Sequence, residues 1–165
     1  MNISGAVTVP LPWHHPATLV ATFGGIGNLP VSPGTWGSLA ALPLAWAIRG
    51  LAGPATLAAV AAAIFVLGCW AASRYIAAAG REDPGSVVVD EVAAQMLVLV
   101  PVRPELLTYA GGFLLFRLFD ILKPWPVDWV DRNVKGGIGT MLDDLLAAIY
   151  AGAILYAFAW AMERP

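Results

Sequence analysis

Long apolar stretches alternate with short polar or proline-rich links along this chain. Gly53 to Ser73 carries no charge between Ala55 and Ala72, and Pro54 suits a first helical turn. Val87 to Val102 is apolar except for Asp90, Glu91 and Gln95, and Pro101 and Pro104 close it. Leu106 to Leu122 is apolar except for Thr108, Arg117 and Asp120, and Pro124 and Pro126 stop it. Gly139 to Met162 is apolar except for Thr140, Asp143 and Asp144. A bilayer-crossing helix needs about 20 mostly apolar residues, with a range of about 17–25, so all four are expected to cross. Ser38 to Ile48 is shorter, contains Pro43 and ends at Arg49-Gly50. The expected fold is all-α: an integral membrane helical bundle of four transmembrane helices plus one short or re-entrant N-terminal helix. Residues 1–165 read as a single membrane-embedded domain, with 1–20 a loose N-terminal segment.

Composition agrees. Of 165 residues, 59% are hydrophobic and 12% charged, against about 45–50% and about 25% in soluble domains. The mean hydropathy is +0.73. A net charge of −2 leaves no basic stripe for nucleic acid. Cys69 is the one cysteine and lies in an apolar run, so it reads as a small buried hydrophobe. Residues 1–16 hold three prolines and no Lys or Arg, unlike a secretory signal. The adjacent His14 and His15 lie in that loose segment and are not read as ligands.

The positions of the charges change the picture most. If each of the five segments crosses, the N-terminal loop and the links 74–86 and 123–138 share one side. That side carries Arg74, Arg81, Lys123, Arg132 and Lys135, against Arg49, Arg103 and Arg164 on the other. The bias favours the first side as cytoplasmic. Asp90 and Glu91 begin one helix, Arg117 and Asp120 end the next, and Asp143 and Asp144 begin the last. All three ends fall on the cytoplasmic side. Arg117, Asp120 and Lys123 stack at i, i+3 and i+6, as Glu91 and Gln95 do at i and i+4. Adjacent acids differ by about 100° around a helix, so one of each pair is expected to point fully inward.

Carboxylates gathered from several helices, with no Cys and no convincing His, favour a hard cation. Mg²⁺ fits, because it takes few carboxylates and also binds phosphate oxygens. Arg117, Lys123 and Arg132 would meet the remaining charge of a phosphate. The bland alternative is a set of intramembrane salt bridges, but the acids outnumber the bases. The run Ser32-Pro33-Gly34-Thr35-Trp36-Gly37-Ser38 adds glycines, hydroxyls and a helix start on the same side. It reads either as an anion loop using Thr35 and Ser38 or as a turn capped by one of them. Gly136-Gly137-Ile138-Gly139-Thr140 allows a tight turn before Asp143. Trp13, Trp36, Trp125 and Trp129 read as an interfacial belt.

These stretches resemble a known family. Phe23-Gly24-Gly25-Ile26-Gly27, the Ser32–Ser38 run, Val89-Asp90-Glu91-Val92, Phe116-Arg117-Leu118-Phe119-Asp120-Ile121-Leu122-Lys123-Pro124-Trp125-Pro126, Asp131-Arg132 and the run from Gly136 to Asp144 follow the order seen in phosphatidylglycerophosphatase A enzymes. The resemblance covers roughly residues 20–160. One departure is Ala93-Ala94-Gln95 after the Asp-Glu pair. The resemblance implies a bacterial inner-membrane enzyme of phospholipid synthesis with its site facing the cytoplasm. It would hydrolyse the phosphomonoester of phosphatidylglycerophosphate, giving phosphatidylglycerol and inorganic phosphate, with Mg²⁺ required.

Mg²⁺ would be held by some of Glu91, Asp120, Asp143 and Asp144, with Arg117 and Lys123 neutralising developing charge. Thr35, Ser38 and Arg132 would join them at the phosphate. The nucleophile is a water oriented by Asp90 or Asp144, or an aspartate itself. Partners are the lipid substrate, the bilayer and a second copy of the chain in a homo-oligomer. The rival reading is a small ion transporter or channel. Such proteins often place acids near the midplane or in both halves of a repeat, whereas here they gather at one end.

Overall fold

The apolar N-terminal half folds back on itself at one glycine. The computed structural model describes residues 10–80 and 84–162. Within it, α1 is Pro16–Ala21, a 3-10 turn covers Ile26–Asn28, and α2 is Pro33–Ala79. Straight, the 47 residues of α2 would span about 70 Å, more than twice the roughly 30 Å hydrocarbon core. Gly53, at φ 84° and ψ 177°, breaks the helix instead. Gly37 on the first arm closes on Val88, and Gly68 on the second closes on Val89. Points far apart along α2 thus reach adjacent residues, so the arms 33–52 and 54–79 run antiparallel. The expected segments Ser38–Ile48 and Gly53–Ser73 are the two sides of this hairpin. The first side is longer than expected, because the helix starts at Pro33 and continues through Pro43.

α3 (Val89–Leu99) is shorter than expected. Its 11 residues span about 16 Å, too little to cross a bilayer as Val87–Val102 was expected to do. Val88 at φ −139° and ψ 1° is not helical, and Val100 caps the other end. Nine of the 11 residues are buried, the mark of a helix enclosed on all sides. It packs on α2, on α4 (Leu106–Leu122) and on α6 (Gly136–Met162). Leu99 and Val98 press on Gly112 of α4, while Met141 of α6 presses on Gly68. α5 is the short Val127–Asn133 and lies on α6. Among the described residues the fold is entirely helical. Two helices among the described residues, α2 and α6, are long and apolar enough to cross a membrane.

The N-terminal segment is ordered earlier than expected. Pro16 opens α1, and His15 caps it by accepting from the Ala17 amide at 3.1 Å. Ala17, Thr18 and Ala21 are buried. Residues 1–9, and Arg81 and Arg164 from the charge count, lie outside the described residues.

Gln95 is fully buried in α3, and neither Oε1 nor Nε2 has a hydrogen-bond partner. An unmet buried amide costs about 1–3 kcal/mol, and methionine has nearly the same shape. Gln95→Met is therefore expected to raise the thermal unfolding temperature in detergent.

Candidate functional site

Asp90 and Glu91 occupy the first turn of α3, and Asp144 lies two turns into α6. Asp90 and Asp144 are 6% and 5% exposed. One carboxylate oxygen from each of Asp90, Glu91 and Asp144 lies within 4.8 Å of the others. They line a cavity of about 370 Å³, together with Asp120, Lys123, Asp131, Lys135 and Asp143. The expectation that only one acid of each adjacent pair points inward does not hold. Both acids of each pair line the cavity. Asp90 folds back to accept from the Glu91 amide at 2.9 Å. Side chains about 100° apart on a helix therefore both reach this one cavity.

Glu91 reaches its place through a gap in α2. A side chain at Gly34 would collide with the Glu91 carboxylate and crowd Arg117. The glycine's smallness thus matters more here than its backbone amide. α2 starts at Pro33 after Ser32, which has a left-handed backbone and no side-chain cap. Thr35 and Ser38 are therefore inside the helix and not caps. Ser38 is buried and donates to the Gly34 carbonyl at 3.0 Å. Neither hydroxyl residue is among those lining the cavity.

Two cations are already engaged. Arg117 lies 2.7 Å from Asp120 and 3.8 Å from Glu91. Lys123 donates to Asp131 and to Asp143, each at 2.7 Å. Burial pulls the Lys123 pKa down, but the bonds to Asp131 and Asp143 outweigh it and hold the ammonium above the usual lysine range. Lys123 in turn holds the Asp131 carboxyl below its usual value. Both are charged at neutral pH. Lys123 can do this because it ends α4 in a left-handed conformation, φ 42°, and so turns towards α5 and α6. The loop behind it is pinned where the Tyr150 hydroxyl donates to the Trp125 carbonyl at 3.0 Å.

Arg132 points elsewhere. It is exposed, pairs with Asp128 at 3.1 Å on α5, and is not part of the cavity wall. Asp131 and Lys135 are cavity residues that the sequence reading did not select. Asp131 stood beside Arg132 in a motif, but only the chain's turn after Lys123 shows which of the two faces inward.

The buried oxygens Glu91 Oε2, Asp143 Oδ1 and Asp144 Oδ2 have no hydrogen-bond partner. Unpaired buried carboxylate oxygens are costly, and a hard divalent cation held by the Asp90, Glu91 and Asp144 trio would offset the negative charge gathered there. The donor set is all oxygen, which suits Mg²⁺ and not a thiophilic metal. The arrangement can therefore hold a cation at the Asp90, Glu91 and Asp144 trio and an anion near Lys123, which lines the same cavity.

The family model for phosphatidylglycerophosphatase A matches residues 19–159. A Haemophilus influenzae phosphatidylglycerophosphatase A is 39% identical over 150 residues, covering 90% of this chain and 91% of that protein. Its Escherichia coli counterpart is 37% identical over 147 residues, covering 88% and 82%. A Bacteroides thetaiotaomicron protein provisionally named a phosphatidylinositol-3-phosphatase is 38% identical over 149 residues, covering 86% and 92%. No solved structure matches. An acid-lined cavity flanked by fixed cations suits phosphate chemistry, and the match spans every helix that builds it: the chain belongs to the phosphatidylglycerophosphatase A family, a family of phosphatases.

Proposed function

We propose that this protein is a Mg²⁺-dependent phosphatidylglycerophosphatase of the bacterial cytoplasmic membrane, with its cavity open to the cytoplasm. It hydrolyses the terminal phosphomonoester of phosphatidylglycerophosphate to phosphatidylglycerol and inorganic phosphate, within phospholipid biosynthesis. The observation that carries this reading is the trio Asp90, Glu91 and Asp144, converging in one cavity that Lys123 also lines, with Arg117 behind its wall on Asp120 and Glu91. α2 and α6 cross the bilayer in this reading, each arm of α2 having about the 20 residues required.

Asp90, Glu91 and Asp144 would hold the ion. When bound, Mg²⁺ supplies positive charge against the phosphate oxygens. Asp120 and Asp143 have another part: they orient Arg117 and Lys123. The two cations bind the phosphate oxygens and stabilise the charge that spreads over them as the bond to glycerol breaks. A water attacks phosphorus, and Asp144 Oδ2, which lacks a protein partner, takes its proton. The leaving glycerol oxygen takes a proton from solvent water, Asp144 returns its own to solvent, and no covalent intermediate is required.

The test is phosphate release from phosphatidylglycerophosphate by purified protein. Chelation with EDTA should end release, and added Mg²⁺ should restore it. Full turnover in excess EDTA would overturn the cation assignment. Turnover on other phosphomonoesters alone would overturn the substrate.

A further inference from the structure

A second set of buried polar groups stands at the other end of the bundle. Tyr109, in the first turn of α4, is 3% exposed, and its hydroxyl has no partner. Arg49, on the first arm of α2, has a buried Nε that also lacks one. Trp46 precedes Arg49 by three residues and shares its helix face. The Trp46 ring meets the Tyr109 ring edge-on at 5.0 Å, which brings Arg49 and the Tyr109 hydroxyl to one corner. Beside them lies a groove of about 340 Å³, lined by Leu42, Pro43, Trp46, Leu106, Tyr109 and Ala110. Along α4, Tyr109 and Asp120 stand roughly 16 Å apart, so this corner is separate from the acid cavity.

Buried donors without acceptors are costly, and most so where lipid replaces water. Arg49 Nε is a donor on a permanent cation, and the Tyr109 hydroxyl is a donor beside it. The partner both lack is an anionic oxygen. The groove is apolar, so the molecule carrying that oxygen also carries hydrocarbon. The geometry points to a binding site for an anionic phospholipid, its phosphate on Arg49 and Tyr109 and an acyl chain along Leu42, Trp46 and Ala110. An arginine that merely snorkels to water would leave both the unpartnered hydroxyl and the groove unexplained. With the bundle spanning the bilayer, this lipid belongs to the leaflet opposite the acid cavity.

The experiment is native mass spectrometry of the full chain in non-ionic detergent, titrated with phosphatidylglycerol. Parallel titrations use phosphatidylcholine of the same chains, and inorganic phosphate. Arg49→Gln is expected to weaken phosphatidylglycerol binding about tenfold, as the loss of a charge-assisted bond does. Tyr109→Phe should weaken it a few-fold. Ala110→Leu fills the groove with Arg49 intact, and it too should weaken binding. Phosphatidylcholine should bind at least about tenfold more weakly, and inorganic phosphate should not displace the lipid. Phosphatidylglycerol and inorganic phosphate held in the acid cavity are common to all these proteins, so every arm is read as the difference between the wild type and Arg49→Gln. Equal binding by the wild type, Arg49→Gln and Ala110→Leu would overturn the site. Equal affinity for phosphatidylcholine would overturn its preference for anionic lipid, and displacement by inorganic phosphate would mark a soluble-anion site instead.

Discussion

Asp144→Asn is expected to end phosphate release while making the protein harder to melt. Asp144 sits with Asp90 and Glu91 in the buried trio, and its Oδ2 has no partner. Asparagine keeps the shape but removes both the charge that attracts a cation and the oxygen that takes a proton. Loss of one electrostatic group at a reacting centre costs about 100-fold or more in turnover. Folding stability responds with the opposite sign. In the metal-free protein three carboxylates lie within 4.8 Å of one another, and like charges this close in a low-dielectric site repel. Replacing one of these charges by a neutral amide removes that repulsion, so the unfolding temperature should rise. A functional site that holds its fold under strain behaves this way. The measurements are phosphate release with Mg²⁺ and thermal unfolding without it. Near-normal release, or a lower unfolding temperature with activity intact, would sink the assignment of Asp144.

Gly34→Ala should lose most activity although alanine is the better helix former. A β-carbon at position 34 collides with the Glu91 carboxylate and approaches Arg117. α2 cannot back away easily, because Gly37 is pressed against Val88 one turn later. Glu91 must therefore swing out of the trio. A displacement of about 1 Å at a reacting centre costs on the order of 100-fold. Helix propensity favours alanine over glycine by about 1 kcal/mol, so folding should suffer little. Phosphate release measured with a melting curve separates the two effects. Wild-type turnover in Gly34→Ala would show that Glu91 is not needed where it stands.

The gathering of acids at one end of the bundle was legible in the sequence, because each acidic pair sits at the edge of an apolar run. The pairing of Arg117 with Asp120 was legible too, since i and i+3 share a helix face. Lys123 was not: it appeared to continue that stack, but its left-handed backbone turns it to Asp131 and Asp143. Arg132 and Asp131 differ by one position, and only the tertiary turn decides that Asp131 faces the cavity. The hairpin at Gly53 hid for a similar reason. Gly53-Pro54 marked a helix start, but nothing local says that the preceding arm comes back alongside. The short α3 reads as a crossing because enclosure by protein and enclosure by lipid demand the same apolar residues. Gly34 looked like an anion loop, and its value as empty space depended on Glu91 arriving from another helix.

Lys123 and Arg117 each rest on carboxylates of the protein itself. In the proposed reaction this gives every incoming phosphate an internal competitor. Bare cations would grip the departing phosphate as firmly as the arriving one, and uniform binding of that kind does not speed the chemical step. Here Asp131 and Asp120 stand ready to reclaim their cations the moment the product loosens. The salt bridges that a stability argument would count as glue would then act as a release mechanism, resetting the site between turnovers.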